Sequence, residues 1–146
     1  MNQFIFRPLR AADYDQWVPL WDSNNFGHHD EILTQETWRR ILADDEPVYG
    51  LCAEQNGDLL GITHYILHPT TGHLRPVCYV QDVYVRADQR RRGIARRLVE
   101  QVIRTGTEEQ WARIYWLTPE DNEGAKALYK NLGIKLDFAF YVLPVS

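Results

Sequence analysis

The sequence predicts one α/β domain over residues 1–146, with a mixed, mostly antiparallel sheet of about six strands and about four helices packed on both of its faces. Three observations carry that prediction. The chain has 146 residues, enough for one core and too few for two. Two β-rich runs flank an Asn-Gly turn, the strongest short-range hairpin signal. Beyond residue 77 strand-like and helix-like patterns alternate in the β-α-β-α-β order of crossover units.

Taken in order, Phe4–Arg7 reads as a short strand, and Ala12–Ser23 as an amphipathic helix with Tyr14, Trp17, Val18 and Trp21 at three- and four-residue spacings. A second helix follows, capped by Thr34, striped by Trp38, Ile41 and Leu42, and ended by Asp44-Asp45-Glu46-Pro47. Val48–Glu54 and Leu59–Leu67 are the hairpin strands around Gln55-Asn56-Gly57-Asp58. A loop with Pro69, Gly72 and Pro76 leads to a third long strand, Cys78–Val85. Then come helix Gly93–Thr105, strand Arg113–Leu117, helix Asn122–Leu132 and strand Leu136–Leu143. Ile94, Leu98 and Val102, joined by Ala95, Val99 and Ile103, give the first of these helices a broad apolar stripe that its arginines avoid.

Composition excludes several classes. With 45% apolar and 25% charged residues the chain is neither disordered nor low-complexity. Cys52 and Cys78 form no C-x-x-C pair and lie in apolar runs, so they read as reduced core residues, and no metal site is expected. No apolar run approaches the roughly 18 residues of a membrane span, and the opening MNQFIFRPLR lacks a charged start followed by a long apolar stretch, so a cytoplasmic protein is expected. His64 and His68 would share a strand face about 13 Å apart, too far for one metal ion, which leaves pairing or a core role. His28-His29-Asp30-Glu31 has no evident partner for a metal site.

Charge is uneven. Residues 86–104 hold seven arginines against Asp88 and Glu100, a local +5, which leaves −9 on the other 127 residues. That division suits an anion bound at one spot on a body that otherwise prefers cations, or else a solvated helix face. A nucleic-acid patch fits poorly with an isoelectric point near 5.7. The segment Val83–Ala95 runs from strand through polar turn into helix, and a helix start offers unpaired N–H groups and a positive dipole end to a phosphate. Gly93 and Ala95 are small enough for close approach of a pyrophosphate, while the absence of G-x-G-x-x-G and of a Walker loop leaves dinucleotide and ATPase readings without support.

Arg90-Arg91-Arg92-Gly93-Ile94-Ala95 in this context resembles the [Q/R]-x-x-G-x-[G/A] signature of the GNAT acetyl-CoA-dependent N-acetyltransferases. Asn122-x-x-Ala125-x-x-x-Tyr129, with Leu128 beside it and Gly133 after it, resembles the family's second element. Cys78–Val85 and Tyr115-Trp116-Leu117-Thr118 look most like the small histone- and polyamine-acetylating branch. Two departures stand out, Ala95 where glycine is frequent and Ile134 where many members have an aromatic residue.

The resemblance implies acetyl-CoA as co-substrate and direct attack by an amine in a ternary complex, without an acyl-enzyme. It implies pyrophosphate binding at Arg90, Arg91, Arg92, Gly93, Ile94, Ala95 and Arg96, and a pantetheine arm paired like a strand along Val83, Tyr84 and Val85, where a bulge splays two strands. Asn122 and Ala125 would lie at the cofactor's amide end, and Tyr129 would be the general acid for the departing thiolate. Without that context Tyr129 would read as a core tyrosine and Asn122 as an N-cap. Asp82 is the candidate general base, with a water relay through Tyr79, Gln81 and Tyr84, or a buried structural carboxylate, as the alternatives. Asp22, Asp30 and Glu31 near Trp21 and Phe26 suit an incoming cation such as a polyamine, a lysine-like side chain or another small primary amine, or form a plain acidic loop. No nucleic-acid or membrane partner is expected, a homodimer could form through Phe138–Tyr141, and the competing function is a non-catalytic acyl-CoA-binding regulatory module.

Overall fold

The computed structural model describes residues 3–146. At its centre lies one sheet in which each strand neighbours the next in sequence: β1 (Ile5–Pro8), β2 (Val48–Gln55), β3 (Asp58–His68), β4 (Val77–Val85) and β5 (Arg113–Trp116). The first three junctions are antiparallel; β4 and β5 run parallel. Parallel neighbours need a crossover, and α3 (Ile94–Glu109) supplies it. The β2–β3 hairpin turns at Asn56 and Gly57, with φ of 53° and 85°, the left-handed pair that the dipeptide favours.

Helices α1 (Tyr14–Asn24) and α2 (Glu31–Leu42) cover one face of the sheet. Trp17 is fully buried there, stacked on Trp21 with centroids 5.1 Å apart and tilted against Trp38 at 4.6 Å. Truncating such a residue to alanine costs about 3–5 kcal/mol. On the opposite face the stripe of α3 seats Ile94 and Leu98 among Ala53, Leu60 and Val85, and Val102 among Tyr65, Cys78 and Val80. Cys52 and Cys78 are free and buried, and burial pushes both thiols up to about 12, so neither is a nucleophile at neutral pH.

The structure corrects the expected architecture in three places. The sheet has five strands among the described residues, because Leu136–Leu143 forms none: residues 134–146 are without regular structure, and Phe138, Phe140, Tyr141 and Leu143 are exposed. Aromatic and β-branched content describes a segment able to pair, but pairing also needs a partner strand, and this segment has none here. Helix α2 begins at Glu31, capped by the Asp30 carboxylate accepting from Leu33 N, while Thr34 is buried inside the helix with its hydroxyl unpartnered. Helix α4 (Glu123–Lys130) stops two residues before Leu132.

One irregularity positions everything that follows. Across β3 and β4, His64 faces Asp82 but Tyr65 faces Val80, leaving Gln81 as an extra, exposed residue. Pairing of β4 with β5 ends at Val80 and Trp116, so Gln81–Val85 has no strand on that side and the two strands part. Among the described residues no helix is long and apolar enough to cross a membrane.

Candidate active site

Because successive residues of a strand face opposite sides, the extra residue reverses the sense of β4 beyond it. Cys78 and Val80 pack toward α3; past Gln81 it is Val83 and Val85 that do so, while Asp82 and Tyr84 belong to the α1 face. The backbone of Val83–Val85 therefore borders the gap left by β5, with its side chains anchored on either side. The Val85 carbonyl accepts from Arg90 Nε at 3.1 Å, and the Arg90 guanidinium lies 5.4 Å from the Tyr84 ring centroid.

The turn out of β4 ends in two left-handed residues, Arg91 at φ 66° and Gly93 at φ 77°. Gly93 is the N-cap of α3 and no side chain caps it; a Cβ added there would meet nothing within 4 Å. Arg97 N bonds back to Gly93 O at 3.1 Å, so the amides of Ile94, Ala95 and Arg96 are the first-turn donors that a helix leaves unmade. Arginines flank this opening on aromatic supports: Arg92 lies 4.6 Å from the Phe4 ring and Arg97 4.6 Å from the Phe6 ring. Arg96 is 3.7 Å from Glu100 one turn along.

Following β5 in the chain, Asn122 caps α4, its side-chain oxygen accepting from Ala125 N at 3.0 Å. The cap uses the side-chain oxygen of Asn122, and the amide nitrogen remains a donor, so capping and a contact to a ligand are compatible. Tyr129, two turns on, is half-buried with its ring 4.8 Å from Trp116, and desolvation pushes its phenol above the ordinary value of 10.0. Gly133 closes behind it, where a Cβ would come within 3.0 Å of the Trp116 ring. Trp116 is the last paired residue of β5, so Tyr129 and Asp82 stand near the point where the strands separate.

On the α1 and α2 face a pocket of about 400 Å³ opens, lined among others by Trp21, Asp30, Arg40, His64, Gln81 and Asp82. Asp82 Oδ1 accepts from Asn24 Nδ2 and Oδ2 is bonded to His64 Nδ1, both at 2.9 Å. His64 Nε2 lies 2.9 Å from Trp17 Nε1. Of the three acids expected to receive a cation, Asp30 lines this pocket. Asp22 and Glu31 instead grip His29 between them at 2.9 and 2.8 Å, and those two bonds raise the imidazole above its usual pKa. Phe26 is exposed, whereas Trp21 is buried against the pocket.

Trp17, Asn24, His64 and Arg40 were not singled out for this site by sequence reasoning. They lie 65, 58, 18 and 42 positions from Asp82, and no spacing rule links such residues. His68, the other histidine of β3, is bonded to the Tyr115 hydroxyl at 2.9 Å, and among the described residues no three His, Cys, Asp or Glu side chains are placed to hold a metal ion together.

A model of the acetyltransferase (GNAT) family matches residues 11–134. The D-amino-acid N-acetyltransferase HPA3 of Saccharomyces cerevisiae (strain ATCC 204508 / S288c) is 27% identical over 146 residues, spanning 96% of this chain and 90% of that protein. Among solved structures, the aminoglycoside N-acetyltransferase AAC(6')-Iy in complex with CoA superposes with a TM-score of 0.85 at 19% identity, covering 100% of this chain and 97% of that one. Ribosomal-protein-alanine N-acetyltransferase from Brucella melitensis biovar Abortus 2308 gives 0.80 at 22% identity, covering 97% and 99%.

Proposed function

This chain belongs to the acetyltransferase (GNAT) family and is an acetyl-CoA-dependent N-acetyltransferase, and on that premise we propose that it acetylates a small primary amine held beside Asp82, by direct attack with both reactants bound. The observation that carries the proposal is the parting of β4 and β5, flanked by Asp82 on one side and by Tyr129 against Trp116 on the other.

The residues present fit the co-substrate. A diphosphate ester suits the uncapped start of α3, where Gly93 leaves open space, the amides of Ile94, Ala95 and Arg96 have no helical partner, and Arg90, Arg91 and Arg92 supply positive charge. Val83, Tyr84 and Val85 border a gap that an extended arm could line by pairing as a short strand, and Asn122 and Ala125 would meet the arm's amide end. When bound, acetyl-CoA supplies an acyl group activated as a thioester.

Asp82 takes a proton from the incoming ammonium, directly or through one water, and frees the nitrogen lone pair for bond formation at the acyl carbon. Tyr129 gives its phenolic proton to the sulfur as the carbon–sulfur bond breaks, and recovers one from the nitrogen that becomes the amide. The net products are the acetamide, the free thiol and one proton. Burial that holds Tyr129 protonated suits it to this role. Holding both reactants in one cleft removes much of the entropic barrier to a bimolecular step.

Among acceptors, the company of Arg40 with Asp30 and Asp82 in one pocket supports a zwitterionic amino acid over a polyamine, since a polyamine would meet Arg40 with repulsion. The yeast relative, a D-amino-acid N-acetyltransferase, supports the same reading. Polyamines and lysine-like side chains, suggested by the likeness to the histone- and polyamine-acetylating branch, form the second acceptor class. A homodimer is part of the proposal: the exposed side chains of Phe138, Phe140 and Tyr141, and separately the unpaired edge of β5, support pairing with a second copy. The test is thiol release from acetyl-CoA over a panel of amino acids and their decarboxylated amines. Turnover with amino acids favoured is the expected result; no turnover with any primary amine would overturn the proposal.

A further inference from the structure

We propose that His64, clamped between Trp17 and Asp82, is the positioning residue that aims the Asp82 carboxylate into the acceptor pocket. The inference rests on the reading of Asp82 as base. His64 and Asp82 are a cross-strand pair on one face of the sheet, a relation that exists because Gln81 absorbs the register shift between β3 and β4. The ring is only 3% exposed, and Trp17 beneath it is fully buried.

The tautomer follows from donor chemistry. An indole N–H can only donate, so His64 Nε2, 2.9 Å from Trp17 Nε1, must accept. The ring hydrogen therefore sits on Nδ1 and is donated to Asp82 Oδ2 at 2.9 Å. Asn24 Nδ2 donates to Oδ1 at 2.9 Å, and the Thr63 hydroxyl fixes the Asp82 backbone carbonyl at 2.8 Å. Each carboxylate oxygen thus has one donor supplied by the protein, and the lone pairs left over are those available to an ammonium in the pocket. Trp17 is the far anchor: its indole is held by Trp21 and Trp38, so the imidazole plane, and with it the carboxylate, cannot swing. A core aromatic cluster is in this way wired to a group in the cleft.

Two polar substitutions separate positioning from mere packing. In His64→Asn the side-chain amide can replace the Nδ1 donor to Asp82; in His64→Gln the longer amide reaches toward Trp17 instead. With the acceptor saturating, His64→Asn is expected to keep kcat within about 3-fold, while His64→Gln and His64→Leu lose roughly 10- to 100-fold, all with KM for acetyl-CoA unchanged. Stabilisation by acetyl-CoA in thermal melts identifies the folded variants. Equal losses in His64→Asn and His64→Gln, or a folded His64→Leu at the wild-type rate, would overturn the assignment of His64. Asp82→Asn run in parallel keeps the two claims apart. If it turns over normally, the base reading fails and the inference with it; if it is slow while His64→Leu is not, only the inference fails.

Discussion

The phenol ring of Tyr129 leans on the indole of Trp116, centroids 4.8 Å apart at an interplanar angle of 37°. That contact takes the ring out of water at the end of β5, and the desolvation favours the neutral phenol. Replacing Tyr129 with Phe keeps the packing and removes the proton. Turnover should fall about 100-fold while acetyl-CoA affinity stays within a few-fold, as stopped thiol-release kinetics and calorimetry would measure. An unchanged kcat would remove Tyr129 as the acid.

The same shift has a sign in stability. A group whose pKa is raised on folding stabilises the fold below its unfolded value, and that contribution drains away as pH climbs through the folded one. For Tyr129 the window opens above 10.0. The melting temperature of wild type should drop relative to Tyr129→Phe only on that alkaline side.

His29 works in the neutral range. Its bonds to Glu31 and Asp22 raise its pKa, so the stability it adds to the α1–α2 connection is complete below about 6.5 and is lost as pH rises through the raised value. His29→Gln should melt below wild type at pH 6 and converge with it at alkaline pH; parallel curves across that range would refute the linkage.

Gly93 holds φ 77° with open space where a Cβ would project. In Gly93→Ala no neighbour is struck, but the left-handed backbone costs about 1–2 kcal/mol and a methyl group enters the place where a phosphate would approach. A melting temperature lower by several degrees and a KM for acetyl-CoA raised roughly 10-fold are expected. A variant with wild-type KM would move the phosphates elsewhere.

Arg40 lies 3.4 Å from Glu36 and lines the pocket proposed for the acceptor. If it receives a substrate carboxylate, Arg40→Gln should raise KM roughly 10-fold for amino acids and leave simple amines unaffected or improved. Equal effects on both classes would count against a zwitterionic acceptor. Similarly, Phe138→Asp with Phe140→Asp should shift sedimentation from dimer to monomer if residues 138–141 join two copies.

Much of the fold was legible from local chemistry. The Asn56-Gly57 turn, the stripe of α3 and the caps around Gly93 and Asn122 each express preferences held within a few residues. The strand expected at Leu136–Leu143 was misread because β propensity measures fitness for a pleated surface rather than the presence of a neighbour. Residues of the proposed site could be nominated where a motif carried them, as at Gly93 and Tyr129. The Trp17–His64–Asp82 chain was not, since it joins three separate elements through a bulge with no sequence signal. Thr34 shows a smaller failure of the same kind: a good capping residue yields to Asp30, four positions earlier, when its own side chain is wanted inside.

Deleting Gln81 would restore an unbroken ladder, since Tyr65 and His64 would then face consecutive residues, and the four positions after it would keep their faces. Asp82 and Tyr84 would stay on the α1 side and Val83 and Val85 under α3, but without the bulge β4 would be free to zip onward along β5. A stretch of ordinary sheet would then stand where the chain now keeps an opening, so the cleft owes its existence to one surplus unit of backbone.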